Sequence, residues 1–134
     1  MTVVVDSSAL LHAVLGTSQA TAALRRRLMM EVCHAPHLID AETGSTLRRR
    51  VLRGEMPVAA AATLLGAGSA LIDHRYAMTG PLALAAWALG ENVSFYDGLY
   101  AALADALGCV LVTADDRLRR APGLPCTVEF VGSR

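Results

Sequence analysis

Four carboxylates in this chain stand where side chains commonly do chemistry: Asp6, Glu42, Asp97 and Asp115. Asp6 ends the β-branched run Val3-Val4-Val5, and Asp115 and Asp116 follow the apolar run Cys109–Val112, with Thr113 close behind it. Strand-end positions matter because open α/β sheets gather ligands in the crevice outside the carboxyl ends of their strands. Asp97 falls in the first turn of a helix that Ser94 can cap, and Glu42 lies near the start of another. Taken singly, each acid has an ordinary structural duty as strand-end cap, turn former or partner of a helix dipole. Taken as a set at one sheet edge, they would repel one another and raise one another's pKa values. A divalent cation removes that penalty, and hard oxygen donors suit Mg²⁺ or Mn²⁺. Ions held this way polarise phosphodiesters and activate water.

The elements that must position these acids alternate between strand and helix. Val3 to Val5 reads as a buried parallel strand, with Ser7 and Ser8 as N-cap types for a helix from Ala9 to Leu15 that Gly16 ends. A second helix runs from about Ser18 to Met30, and Glu31 to His34 forms a second strand closed by Ala35-Pro36. The stretch from His37 to Arg53 gives a helix beginning near Asp40, for which Asp40 is the expected N-cap. Pro57 suits the first position of an Ala-rich helix reaching about Gly66. Leu71 to Met78 reads as a partly extended connector. Helices follow at Pro81 to Leu89 and Phe95 to Leu107, the latter ended by Gly108. Cys109 to Val112 is a third buried strand, a short helix starts near Asp115, and Thr127 to Val131 is the last strand. Strands separated by helices imply one α/β domain over residues 1–134, a parallel sheet with helices on both faces.

Composition narrows the chemistry. With 134 residues, 54% of them hydrophobic, the chain can bury one substantial core. No apolar run approaches the roughly 20 residues of a membrane span, and the opening segment lacks the pattern of a signal peptide, so a soluble cytoplasmic protein is expected. All twelve basic residues are arginine. The absence of lysine excludes the P-loop, Schiff-base catalysis and receiver-type phosphorylation. Zero net charge argues against a protein that coats nucleic acid non-specifically. Cys33, Cys109 and Cys126 form no CxxC pair. Cys33 with His34 and His37 reads as a buried thiol beside loop histidines rather than as a zinc site.

Three segments together resemble one family. Val4-Val5-Asp6-Ser7-Ser8-Ala9-Leu10 is similar to the opening of PIN domains, an acid followed two positions on by a hydroxyl. Phe95-Tyr96-Asp97-Gly98-Leu99-Tyr100-Ala101-Ala102-Leu103-Ala104 resembles their central acidic helix, and Val110 to Leu118 resembles their closing T-x-D motif. Glu42 matches the remaining acidic position. Order, spacing and length agree with the VapC-type toxins of bacterial toxin–antitoxin pairs. The resemblance implies a three-layer PIN-like fold with a central parallel sheet of about four or five strands. It implies catalytic and metal-binding roles for Asp6, Glu42, Asp97 and Asp115, with Ser8 and Thr113 orienting them and Asp116 as an additional acid of doubtful role.

The activity so implied is metal-dependent hydrolysis of RNA with Mg²⁺ or Mn²⁺, leaving a 5′-phosphate and a 3′-hydroxyl. The implied partners are RNA, a VapB-type antitoxin, a second protomer and a higher assembly with antitoxin. Arg25-Arg26-Arg27, Arg48-Arg49-Arg50 with Arg53, and Arg117-Arg119-Arg120 are candidate phosphate contacts or, equally, solvated helix faces. Arg117 and Arg119 are favoured because they adjoin Asp115. The Ala/Leu-rich stretches Pro57–Gly68 and Pro81–Leu89 are either core helices or surfaces for a partner. A non-cutting binding module is the alternative in another class, opposed by the presence of all four acids. A haloacid-dehalogenase-type phosphatase needs a second aspartate where this chain has Ser8, and a lysine it lacks.

Overall fold

The computed structural model describes residues 1–133. Its elements, in chain order, are β1 (Thr2–Val5), α1 (Ser7–Leu15), α2 (Gln19–Met30), β2 (Val32–Pro36), α3 (Leu38–Leu52), α4 (Val58–Leu71), β3 (His74–Tyr76), α5 (Pro81–Ala88), α6 (Phe95–Leu107), β4 (Val110–Thr113), α7 (Asp116–Arg120) and β5 (Val128–Phe130). A single 3-10 turn, Gly90–Asn92, separates α5 from α6. The five strands form one sheet in the order β3-β2-β1-β4-β5, every pair parallel. Val3, Val4 and Val5 are wholly buried, as the middle strand of a sheet covered on both sides requires.

The strand order fixes the layers. Crossovers between parallel strands are right-handed, so connections that step in opposite directions along a sheet lie on opposite faces. The steps β1 to β2 and β2 to β3 run one way, which puts α1 to α4 on one face. The steps β3 to β4 and β4 to β5 run the other way, which puts α5 to α7 opposite. Packing agrees: Leu10 of α1 lies against Gly68 of α4, and Gly98 of α6 approaches α5 so closely that a Cβ there would sit 3.2 Å from the Ala86 carbonyl oxygen. The direction of travel reverses between β1 and β4. That reversal opens the sheet's ligand crevice at their carboxyl ends.

Several boundaries differ from the sequence reading, each for a local reason. The connector at Leu71 to Met78 contains a true edge strand, β3, registered His34↔His74 to Pro36↔Tyr76. Its His-Arg-Tyr sequence has no apolar alternation, and none of the three residues is fully buried. β2 continues through Pro36, since a proline at a strand end withholds no amide the ladder needs. Asp6, rather than Ser7 or Ser8, caps α1, accepting from the Ala9 amide at 2.9 Å. α3 starts at Leu38 behind His37, and Asp40 is no cap: it holds the Arg75 guanidinium at 2.6 and 3.0 Å, tying α3 to β3. Pro57 itself is the N-cap of α4, which continues past Gly66 to Leu71.

α6 follows the sequence reading closely. Ser94 Oγ accepts from the Asp97 amide at 3.1 Å, and Gly108 closes the helix at φ 64°, a left-handed conformation that favours glycine. Its seven residues Gly98 to Ala104 are buried in succession, making it the most deeply embedded helix. Cys33 is buried, and His34 lies within β2 rather than in a loop, its Nδ1 hydrogen-bonded to the Tyr76 hydroxyl at 2.6 Å. Among the described residues no helix is long and apolar enough to cross a membrane.

Candidate active site

The β1–β4 pairing (Val3↔Val110, Val5↔Val112) brings Asp6 beside Thr113, residues 107 apart in sequence. Thr113 Oγ1 donates to Asp6 Oδ2. Ser8 Oγ donates to Asp6 Oδ1 at 2.6 Å, and the Ala9 amide reaches the same oxygen. Ser8 and Thr113 also meet each other at 3.2 Å. Ser8 Oγ accepts from the Ala114 amide at 2.9 Å, and Thr113 Oγ1 accepts from the Asp115 amide at 3.0 Å. A carboxylate offers about four acceptor positions, and three donors here leave roughly one unused. Asp6 is therefore held in a single orientation by two hydroxyls, Thr113 at the end of β4 and Ser8 in the first turn of α1.

The other acids arrive from separate elements. Glu42, one turn into α3, accepts from the Tyr100 hydroxyl of α6 at 2.6 Å. Asp97 projects from the first turn of α6, and Asp115 caps α7 through the Arg117 amide at 2.9 Å. Their charges act on one another. Burial pushes Asp6 from 3.8 up to about 6, against the pull of its three donors, and the charge of Asp97 adds to the rise. Glu42 is raised by burial and by Asp97, opposed by the Tyr100 and Ser7 hydroxyls. Asp97 is raised by burial and by Asp115. Burial also acts on Asp115, but hydrogen bonds and charge from Arg117 outweigh it and leave that carboxyl below its ordinary value.

Asp6, Glu42, Asp97 and Asp115 thus share one electrostatic neighbourhood, with Ser8 and Thr113 at its floor. Asp6, Glu42 and Asp97 have no arginine partner within ion-pair distance among the described residues, whereas Asp115 pairs with Arg117 at 3.2 Å. No three His, Cys, Asp or Glu side chains among those residues close into a preformed metal cage. Asp116 does not join the group: it binds Arg119 and Arg120 one turn along α7. Arg119 also lies over the Phe130 ring at 4.7 Å, fastening α7 to β5. Of the two favoured phosphate contacts, Arg119 is a structural fastener, and Arg117 is exposed and held by Asp115.

Tyr100 was missed in the sequence although its signal is there. It lies three residues after Asp97, on the same side of α6. A cleft of about 330 Å³ opens beside Glu42, lined also by Ser7, Ser45, Thr46, Arg49 and Tyr96.

Comparison with known proteins agrees with this architecture. The PIN domain family matches residues 3–124. Ribonuclease VapC1 of Mycobacterium tuberculosis is 45% identical over 128 residues, 96% of each chain. Ribonuclease VapC9 of the same organism is 40% identical over 129 residues, 96% of this chain and 98% of that one. Among solved structures, PAE2754 from Pyrobaculum aerophilum superposes with a TM-score of 0.71 at 24% identity, covering 96% of this chain and 92% of that one. VapBC2 from Rickettsia felis, solved bound to a DNA fragment from its promoter, gives 0.70 at 13% identity, covering 96% and 98%. The five-stranded parallel sheet, the acids at its reversal point and relatives this similar over nearly the whole length lead to one conclusion: the chain belongs to the PIN-domain family and, within it, to the VapC proteins.

Proposed function

We propose that this chain is an endoribonuclease that hydrolyses RNA phosphodiester bonds with Mg²⁺ or Mn²⁺, and that it serves as the toxin of a toxin–antitoxin pair in the cytoplasm. The observation that carries the reading is the gathering of carboxylates at the β1–β4 crevice, three of them without a cationic partner among the described residues. The relatives' name, ribonuclease, supplies the reaction.

The donor set fits a hard divalent ion. It is all oxygen, and Mg²⁺ keeps several waters and takes one or two carboxylates plus substrate phosphates, so no closed protein cage is needed. Asp6 and Asp97 are the proposed principal ligands, with Glu42 and Asp115 completing the pocket. A bound ion supplies the positive charge that offsets these carboxylates and the charge developing on the phosphate oxygens. The chain's own residues do the rest. Ser8 and Thr113 hold Asp6 in one orientation, as hydrogen-bonded neighbours of ligating carboxylates do. Glu42, oriented by the Tyr100 hydroxyl, is the proposed acceptor for the proton of the attacking water. Water adds across the P–O3′ bond, giving a 5′-phosphate and a 3′-hydroxyl.

A VapB-type antitoxin and a second protomer are the proposed protein partners. Support comes from apolar side chains left on the surface of α4 and α5: Val58, Leu65, Leu84 and Trp87, the last 76% exposed. The test of the central reading is cleavage of total cellular RNA by the purified chain with Mg²⁺, Mn²⁺ or EDTA, beside Asp6→Asn and Asp97→Asn. Discrete fragments with 5′-phosphate ends, lost in EDTA and in both variants, are expected. Intact RNA under every metal, with the protein folded and free of antitoxin, would establish a binding module instead.

A further inference from the structure

We propose that Arg49 and Tyr96 form the subsite that grips single-stranded RNA beside the acids, Arg49 taking a phosphate neighbouring the scissile one and Tyr96 stacking an unpaired base. The proposal rests on the ribonuclease reading above and adds to it how the substrate is held.

Charge is the first argument. Several other arginines are already engaged by carboxylates: Arg117 by Asp115, Arg119 and Arg120 by Asp116, Arg75 by Asp40 and Arg50 by Glu55. Arg49 has no carboxylate partner among the described residues, and it lines the same cleft as Glu42. Glu42 and Arg49 are seven residues apart on α3, nearly two full turns, so they share one face about 10 Å apart along the axis. The guanidinium does not point away along the helix. Its Nη1 and Nη2 donate to Ser45 Oγ at 3.3 Å and Thr46 Oγ1 at 3.1 Å, which folds it back one turn toward Glu42. Both bonds are exposed and end on neutral hydroxyls, so a phosphate can replace them with bidentate bonds between opposite charges. Arg53, on the far side of Arg49, lines the adjoining cleft with Arg50 and extends the positive strip away from the acids.

The second argument is the aromatic ring. Tyr96 immediately precedes Asp97 in the first turn of α6, is 59% exposed, and forms another wall of the cleft. Every base has a π-face, so a wet tyrosine next to a carboxylate site offers a sequence-tolerant stacking platform. A phosphate donor and a stacking surface on two elements of one cleft that Glu42 also lines match an unpaired strand better than a duplex, whose bases are already stacked.

The experiment measures binding apart from cutting. A fluorescein-labelled single-stranded RNA of mixed sequence is titrated in EDTA, over a range of salt, with the full chain and with Arg49→Gln, Arg49→Lys, Tyr96→Ala, Tyr96→Phe and, as an exposed control at the end of α2, Met30→Gln. Cleavage of total RNA with Mn²⁺ is followed in parallel. Arg49→Gln is expected to weaken binding about tenfold and lower the slope of log affinity against log salt by about one, with Arg49→Lys restoring the slope. Tyr96→Ala is expected to weaken binding about tenfold at unchanged slope, with Tyr96→Phe retaining it. Met30→Gln should match the parent chain. Unchanged affinity and slope in both Arg49→Gln and Tyr96→Ala would overturn the subsite while leaving Asp97-dependent cleavage, and so the ribonuclease reading, intact. A parent chain that neither binds nor cuts overturns both.

Discussion

Replacing Asp6 by asparagine should stabilise the protein at neutral pH while abolishing its activity. Asp6 is 4% exposed and titrates near 6 in the fold against 3.8 in the ordinary state. A carboxyl that holds its proton more tightly when folded favours the fold at low pH, where it is neutral in both states. That advantage fades as pH rises from 3.8 and is gone above 6, where ionised Asp6 costs the fold about 3 kcal/mol. Asparagine carries no such penalty. It replaces one acceptor by an NH₂ group, so the Thr113 hydroxyl must turn and accept instead of donating, a loss of about 1 kcal/mol. The variant should therefore be more stable than the parent by about 2 kcal/mol near pH 8 and equal or slightly weaker near pH 4. Urea unfolding followed by circular dichroism in EDTA checks this. With a slope of about 2 kcal/mol per molar, the midpoints should differ by about 1 M near pH 8 and converge in acid. A parent chain more stable than Asp6→Asn near pH 8, or a difference that does not change with pH, would refute the account of Asp6 as a buried, unneutralised anion. Mg²⁺ at 100 times its Kd should add about 2.7 kcal/mol to the parent and less to the variant, reversing their order.

Thr113→Val removes the hydroxyl that fixes Asp6 and caps the Asp115 amide; RNA cleavage should fall roughly 10- to 100-fold with the fold retained, read by initial rates beside a thermal melt. Tyr100→Phe deletes the donor that holds Glu42 down, so Glu42 should rise further and the acid limb of the pH–rate profile should move to higher pH, with about 1 kcal/mol lost in stability. Gly66→Ala lies within α4 with nothing within 4 Å of the added Cβ; it should stabilise the chain by about 1 kcal/mol without changing activity, measured by urea midpoint and cleavage rate.

How much of this was legible beforehand depends on the range of the interaction. Val3-Val4-Val5-Asp6 reads correctly because a strand buried on both faces writes itself as an unbroken β-branched run. α6 reads correctly because its cap, its apolar run and its terminal glycine are all local. β3 does not, because an edge strand's pairing is decided by β2 rather than by its own His-Arg-Tyr. The same limit applies to the acids. Nothing local to Asp6 names Thr113 as its neighbour; the strand order does, and it becomes visible only when β1 and β4 are paired. Arg117 and Arg119 adjoin Asp115 in sequence, yet α7 turns Arg119 toward Asp116 and Phe130. Arg49, remote from Asp115 in the chain, reaches the cleft because two helical turns carry it onto the face of Glu42.

The energetics of Asp6 argue that its place was not chosen for the stability of the fold. Two hydroxyls and an amide converge on a group whose charged form burial and Asp97 both oppose. An asparagine could cap α1 as well, since it is as good an N-cap as aspartate and carries no charge. Ser8 and Thr113 instead favour the anion, drawing its affinity for a proton down against desolvation. Polar groups that hold a buried anion in one orientation, with an acceptor position left over and no arginine to neutralise it, are what the proposed cation site requires. Asp6 is left without a cationic partner while Asp115 is already paired with Arg117, so under the proposed reading a cation would have most charge to offset on the β1 side of the crevice.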